Sequence, residues 1–168
     1  MIEKESRNML THPFPPLYNH ASKILILGSF PSVKSREQKF FYGHPQNRFW
    51  KVVSAVLGCE TPDTIEEKKA FLLEHGIALW DVIASCEITG SSDTSIKNVI
   101  PNDISEILEA GNIKQIFVNG KTAEKYYKKY LEEKTGKTAV CLPSTSPANA
   151  AWSIDKLVSA WSVINKYM

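Results

Sequence analysis

The segment FFYGHPQNRFW, residues 40–50, sets a histidine–proline pair and an asparagine inside a dense aromatic cluster. Comparable groupings follow apolar runs elsewhere. Ser29, Phe30 and Ser32 stand in GSFPS after ILIL, and Asp81 ends IALWD. Asn119 ends IFVN, and Ser144, Thr145 and Ser146 stand in PSTSPANA after AVCL. The chemistry of this set is binding before it is bond-breaking. Hydroxyls and loop amides suit phosphates, aromatic faces such as Phe30 and Tyr42 suit a planar group, and side-chain amides suit polar edges. Together they fit a nucleic-acid strand with one base held apart from its stack. GSFPS has neither the spacing of a phosphate-cradling loop nor that of a dinucleotide fingerprint, and no Ser-His-Asp set has a recognisable local context.

The frame around these residues is ordinary for a globular chain. Its 168 residues fit one domain with a sizeable core, here taken as residues 1–168 with a proline-containing arm over 1–22. With 43% apolar and 23% charged residues and a net charge of +2, bulk charge does not announce a nucleic-acid partner, and charge has to be judged locally. No apolar run approaches the roughly 20 residues that cross a bilayer, and MIEKESRNML lacks the apolar core of a secretory signal. Cys59, Cys86 and Cys141 are far apart and show no zinc-like spacing. Reduced thiols in a cytoplasmic monomer without metal or organic cofactor are the expectation.

Strand and helix patterns alternate along the chain. KILILG (23–28), IALWDVI (77–83), KQIFVNG (114–120) and TAVCLP (138–143) read as buried parallel strands. NRFWKVVSAVLG carries a helical apolar stripe that stops at Gly58; 64–76 is a helix with a Thr64–Glu67 capping box. Residues 101–111 read as a helix capped by Asn102, 121–136 as a basic helix, and Ser153 caps a closing helix. HPFPPLYNH (12–20) reads as an extended arm over the surface, and 29–46 and 84–98 as long loops. The expected fold is therefore α/β, a three-layer α/β/α sandwich with a mostly parallel four-stranded central sheet. Such folds bind ligands beyond the carboxyl ends of their strands, where the groups above converge.

ILILGSFPS (24–32), YGHPQNRFWKVV (42–53) and LPSTSPANAAWS (142–153) together resemble the uracil-DNA glycosylase superfamily, most closely its hypoxanthine-DNA (deoxyinosine) glycosylase branch. The middle piece also resembles the mismatch-specific uracil-DNA glycosylases, which have a similar His-Pro-x-Asn-Arg-Phe-Trp run. GIALWDVIASCE (76–87) and VNGKTA (118–123) fall where the superfamily places base-facing strands. The departures matter as well. The mismatch-specific branch has Gly-Ile-Asn-Pro-Gly in its first motif, and that Asn positions the attacking water. Here Phe30 stands at the position of that Asn, and a phenylalanine cannot orient water. The classical enzymes have an Asp there and a His in the last motif, where this chain reads Leu142-Pro143. The hypoxanthine branch shares the substitution and assigns the work to the Asn of the His-Pro-x-Asn run, which is Asn47.

The resemblance implies a monofunctional glycosylase that hydrolyses the N-glycosidic bond of a flipped base, with hypoxanthine as the expected base, in single- or double-stranded DNA. Uracil or mismatch specificity, and a lesion-binding module that does not cut, stand as alternatives. Asn47 is the expected catalytic residue, holding water at the sugar; as a residue alone it reads first as a helix cap, and the motif context reverses that. Phe30, Tyr42, Asp81 and Asn119 are expected at the base, against the plainer readings of core packing, a loop-bracing carboxylate and a turn residue. Ser29, Ser32, Ser144, Thr145 and Ser146 are expected at phosphates. His44 is expected to brace its loop, and Lys121, Lys125, Lys128 and Lys129 to form a solvated helix face.

Overall fold

The computed structural model describes residues 9–168; the first part of the expected arm, 1–8, lies outside the described residues. Strands β2 (Ile24–Gly28), β3 (Ile77–Asp81), β6 (Gln115–Asn119) and β7 (Ala139–Leu142) form a parallel sheet in the order β3-β2-β6-β7. Strand β2 lies at its centre with every residue buried, which explains why ILILG is apolar without alternation. Each fully buried Ile or Leu contributes about 1.5–3 kcal/mol relative to exposure.

The flanking helices include α2 (Phe49–Leu57), α3 (Ile65–Glu74), α5 (Lys121–Tyr130) and α7 (Ile154–Trp161). Gly58 ends α2 with a φ of 69°, the left-handed conformation that glycine adopts without strain. The Thr64–Glu67 capping box forms as expected, and Ser153 accepts from the Lys156 amide at the start of α7. The basic segment breaks into α5 and a short α6 (Glu132–Thr135), and the closing helix tightens into a 3-10 turn over Ser162–Tyr167. No helix among the described residues is long and apolar enough to cross a membrane.

Several sequence expectations are corrected. The loop expected over 29–46 contains a short helix, α1 (Val33–Gln38), whose only buried residue is Ser35, so it has no apolar stripe to read. The loop expected over 84–98 begins and ends in sheet: β4 (Ile83–Glu87) and β5 (Lys97–Pro101) pair antiparallel, and β1 (Met9–Thr11) joins them in the order β1-β4-β5. The arm is thus woven into the fold. After β1, Phe14 is buried and Leu17 bridges Leu79 on the edge of the parallel sheet. Asn102 does not cap α4 (Ser105–Ala110); its side-chain amide donates to the Asp81 carbonyl at 2.8 Å. The chain passes from β3 to β4 at Val82, where the Val82 and Ile83 amides donate to Gly28 and Ser29 carbonyls. This crossover fixes Asp81 beside the end of β2.

Candidate active site

The strand ends open into a cleft of about 490 Å³. Asn47, Phe30, Tyr42, Asp81 and Asn119 line it, as do Ser29, Ser32, Ser144, Thr145 and Ser146. The residues singled out in sequence therefore surround one space. His44 lines it too, and its Nδ1 accepts from the Gln46 amide at 3.0 Å, which braces the turn as expected.

One wall of the cleft is a chain of hydrogen bonds whose directions are forced. The Thr145 backbone N–H donates to Asn119 Oδ1 at 3.1 Å, so the Asn119 amide nitrogen is the atom that donates to Thr145 Oγ1, at 3.0 Å. The Thr145 hydroxyl then spends its one hydrogen on Asn47 Oδ1, at 2.9 Å. The Phe49 backbone N–H donates to the same oxygen at 2.9 Å. With Oδ1 fixed by a backbone donor, Asn47 presents its Nδ2, an N–H donor, to the cleft. The helix-cap reading of Asn47 is corrected in detail: Arg48 is the cap residue of α2 and makes no side-chain cap bond, while Asn47 supports the Phe49 amide from outside the helix.

The same geometry narrows the hydroxyl set. Thr145 is fully buried with its hydroxyl engaged on both sides, so it is a strut of the wall and is not free to hold a phosphate. Ser32 caps α1, accepting from the Ser35 amide and donating to the Ser35 hydroxyl, so its hydroxyl is also taken up. Ser144 and Ser146 only accept loop amides, from Ser146 and Ala148, and retain their hydrogens for a ligand. Arg48, quoted in the motif but given no role, pins this loop: its guanidinium donates to the carbonyls of Ser146, Asn149 and Trp152, and its amide to that of Thr145.

The floor is built differently. Asp81 is 4% exposed, and its Oδ2 lies 2.7 Å from His12 Nε2. Its Oδ1 has no hydrogen-bond partner among the described residues. A methyl group on Gly28 would sit 2.5 Å from that oxygen, so the glycine ending ILILG makes room for the carboxylate. Tyr42 stacks on Phe49 with centroids 4.1 Å apart and planes 14° apart. Its φ of 51° is rare for a residue with a side chain, and the Trp50 indole holds its carbonyl at 3.2 Å. The Tyr42 hydroxyl is buried without a hydrogen-bond partner. Desolvation, and secondarily the nearby Asp81 charge, hold that hydroxyl well above its ordinary pKa against a smaller opposing effect of the neighbouring Asn119 amide, so it keeps its proton and can donate. Phe30 is buried with its ring edge-on to His12, 6.0 Å between centroids, so it belongs to the core and to the cleft wall at once.

Sequence reading missed Asp93. It comes from the polar stretch GSSDTS, lines the cleft, and accepts from the Ser29 hydroxyl at 3.4 Å. Desolvation raises the pKa of its carboxyl, against hydrogen bonds from Thr122 and Ser29 that lower it. No lysine or arginine lines the cleft; its acidic groups are Asp81 and Asp93.

A parallel α/β sheet with a polar, aromatic-lined cleft at its strand ends defines a class of base- or nucleotide-sized binding sites. The sequence profile of the Uracil DNA glycosylase superfamily matches residues 15–165, and the chain belongs to that superfamily. A protein of Methanosarcina acetivorans named hypoxanthine DNA glycosylase is 34% identical over 161 residues, 95% of this chain and 100% of its own length. A Methanosarcina barkeri protein of the same name is 32% identical over 89% of this chain and 94% of its own. The solution NMR structure of a Methanosarcina acetivorans protein, provisionally named a uracil DNA glycosylase, superposes with a TM-score of 0.73 at 33% identity. It covers 90% of this chain and 96% of that one.

Proposed function

We propose that this protein is a DNA glycosylase that hydrolyses the N-glycosidic bond of a deaminated base flipped out of DNA, with hypoxanthine as the base. The observation that carries the reading is the pairing, in one cleft, of an Asn47 amide locked with its N–H outward and an Asp81 oxygen left open as an acceptor. The choice of hypoxanthine is supported by the names of the two Methanosarcina relatives.

Deamination turns the adenine edge, a ring-nitrogen acceptor beside an amino donor, into a ring N–H donor beside a carbonyl acceptor. The floor offers the complement: Asp81 Oδ1 accepts from the ring N–H, and the unpartnered Tyr42 hydroxyl donates to the carbonyl. Adenine would set its ring lone pair against the carboxylate, an unpaired and desolvated contact. Asn47 donates through Nδ2 to one lone pair of a water, leaving the other lone pair to attack the sugar. This amide positions the water; it does not deprotonate it. A cationic sugar is favoured by the Asp81 carboxylate, and by Asp93 once its proton has passed to the base, as preorganised groups favour developing charge in a site. Asp93, which lines the cleft and whose carboxyl takes a proton more readily than usual, hands its proton to the departing purine, and the carboxylate so formed takes up the proton that the attacking water loses. Ser144 and Ser146 hold a phosphate.

The test is incubation of the protein with duplexes containing deoxyinosine, deoxyuridine or a G:T pair, followed by alkaline cleavage of abasic sites. Release from deoxyinosine duplexes is expected. Release from the other substrates alone would move the specificity to pyrimidines. Binding without release would make the protein a lesion-binding module.

A further inference from the structure

The residue that holds the floor comes from outside every motif of the sequence. His12 follows β1 on the N-terminal arm, 69 positions before Asp81. Its side chain is 3% exposed. Phe14 and Trp80 stand 4.4 and 4.3 Å from it between ring centroids, and Phe30 and Phe41 complete the aromatic box. Its backbone amide donates to the Ala84 carbonyl at 2.8 Å, so the antiparallel sheet sets its position. Nε2 meets Asp81 Oδ2, while Nδ1 is buried with no partner among the described residues.

That asymmetry fixes the proton. An N–H at Nδ1 would be a buried donor without an acceptor, a rarer and costlier arrangement than a buried bare lone pair. The proton therefore belongs on Nε2, donated to Asp81. We propose that His12 is a positioning residue for base recognition: it holds one Asp81 oxygen and leaves the other free as an acceptor aimed into the cleft. This rests on the reading of Asp81 given above. Without the His12 donor the carboxyl can rotate, which would turn its free oxygen away from the ring N–H that it must accept.

The experiment compares His12→Phe, His12→Gln and Asp81→Asn in the full chain, by single-turnover release from deoxyinosine duplexes and by thermal melting. Phenylalanine keeps the aromatic box and removes the donor; the Gln side-chain amide restores a donor near the Nε2 position. His12→Phe is expected to slow release by about tenfold or more, the worth of a hydrogen bond to a charged group, and His12→Gln to recover most of it. In an Asp81→Asn background the His12→Phe change should add little. Nitrogen-resolved NMR of the wild-type protein should show His12 protonated at Nε2 and bare at Nδ1, whatever the activity.

A folded His12→Phe with wild-type release overturns the positioning role, as does a His12→Gln no better than His12→Phe, or a proton found on Nδ1. Absence of hypoxanthine release by the wild-type protein overturns the base-release reading, and this inference with it. Wild-type release with an indifferent His12 overturns the inference alone.

Discussion

The two sides of the cleft are held by opposite means. The Asn47 wall is a relay of neutral groups, Asn119, Thr145 and Asn47, in which backbone amides at both ends dictate where every hydrogen points. The Asp81 floor is a buried carboxylate gripped by one imidazole inside a box of aromatic rings. The wall needs no charge because its order comes from the backbone of two loops. The floor needs the histidine because a buried carboxylate with nothing on either oxygen is costly. On the proposed reading, a neutral relay suits a group that orients a neutral water. On the same reading, a braced carboxyl suits a group that tells a donor edge from an acceptor edge.

The wall is tested first, where the largest effect is expected. Asn47→Ala should reduce base release by ~10²-fold or more, the scale of losing a preorganised polar group, and leave DNA binding close to wild type. Because Asn47 also supports the Phe49 amide, a stability loss of up to ~1 kcal/mol should accompany it. Wild-type turnover in a folded Asn47→Ala would reduce the residue to its support of α2.

Thr145→Val sharpens the same comparison. Valine matches threonine in shape but breaks the relay at its centre, leaving the Asn119 amide nitrogen without its acceptor and Asn47 Oδ1 with one donor fewer. Release should fall by about tenfold and stability by roughly 1–3 kcal/mol, since buried polar partners are left unsatisfied. Urea melts and single-turnover rates measure the two separately. If Thr145 were instead a phosphate ligand, DNA affinity would fall while the release rate of bound substrate stayed constant.

How much of this was legible in sequence follows the same division. The parallel strands were legible because ILIL, IALW and IFV are continuous apolar runs that only a sheet covered on both faces accommodates. The wall residues were legible as types in motif order; the hydrogen-bond directions that make Asn47 a donor depend on two backbone amides and were not. The antiparallel sheet was hidden because β5 is mostly exposed and β4 only half-buried, so neither carries an apolar signature. With that sheet unseen, the arm read as surface and His12 as one of its polar residues. Asp93 was hidden for a related reason: its neighbours in GSSDTS are turn formers, and only the tertiary fold folds that loop over the cleft.

Tyr42 sits between the two sides and separates stability from function. Its buried hydroxyl lacks a partner, and its ring stacks on Phe49. Removing the hydroxyl in Tyr42→Phe removes an unsatisfied polar group, so stability should stay level or rise by about 1 kcal/mol. If the hydroxyl donates to the base carbonyl, release should nonetheless slow by about three- to tenfold, the scale of one neutral hydrogen bond. A variant that melts higher and cuts more slowly is the expected result. Equal loss of stability and rate would mean that the hydroxyl has a partner within the fold.

The smallest effect is expected at Asp93, and its sign is opposite to that of a carboxylate in an ion pair. Desolvation raises the pKa of this carboxyl in the folded protein, so the fold binds its proton more tightly than the unfolded chain does. The stability it contributes is full below the ordinary carboxylate pKa and is lost as pH rises through the raised one. Asp93→Asn cannot titrate, so wild type should lose stability relative to the variant as pH rises through that window, and the two melting curves should run parallel above it. The residue is solvent-exposed for a cleft group, so the difference should be a small one. In activity the sign is the same. If protonated Asp93 assists the departing purine, release by wild type should decline on the alkaline side of that pKa, and Asp93→Asn should be slower but flat across it. Matched declines in both proteins would place the titration elsewhere in the site and leave Asp93 as a partner of Ser29 and Thr122.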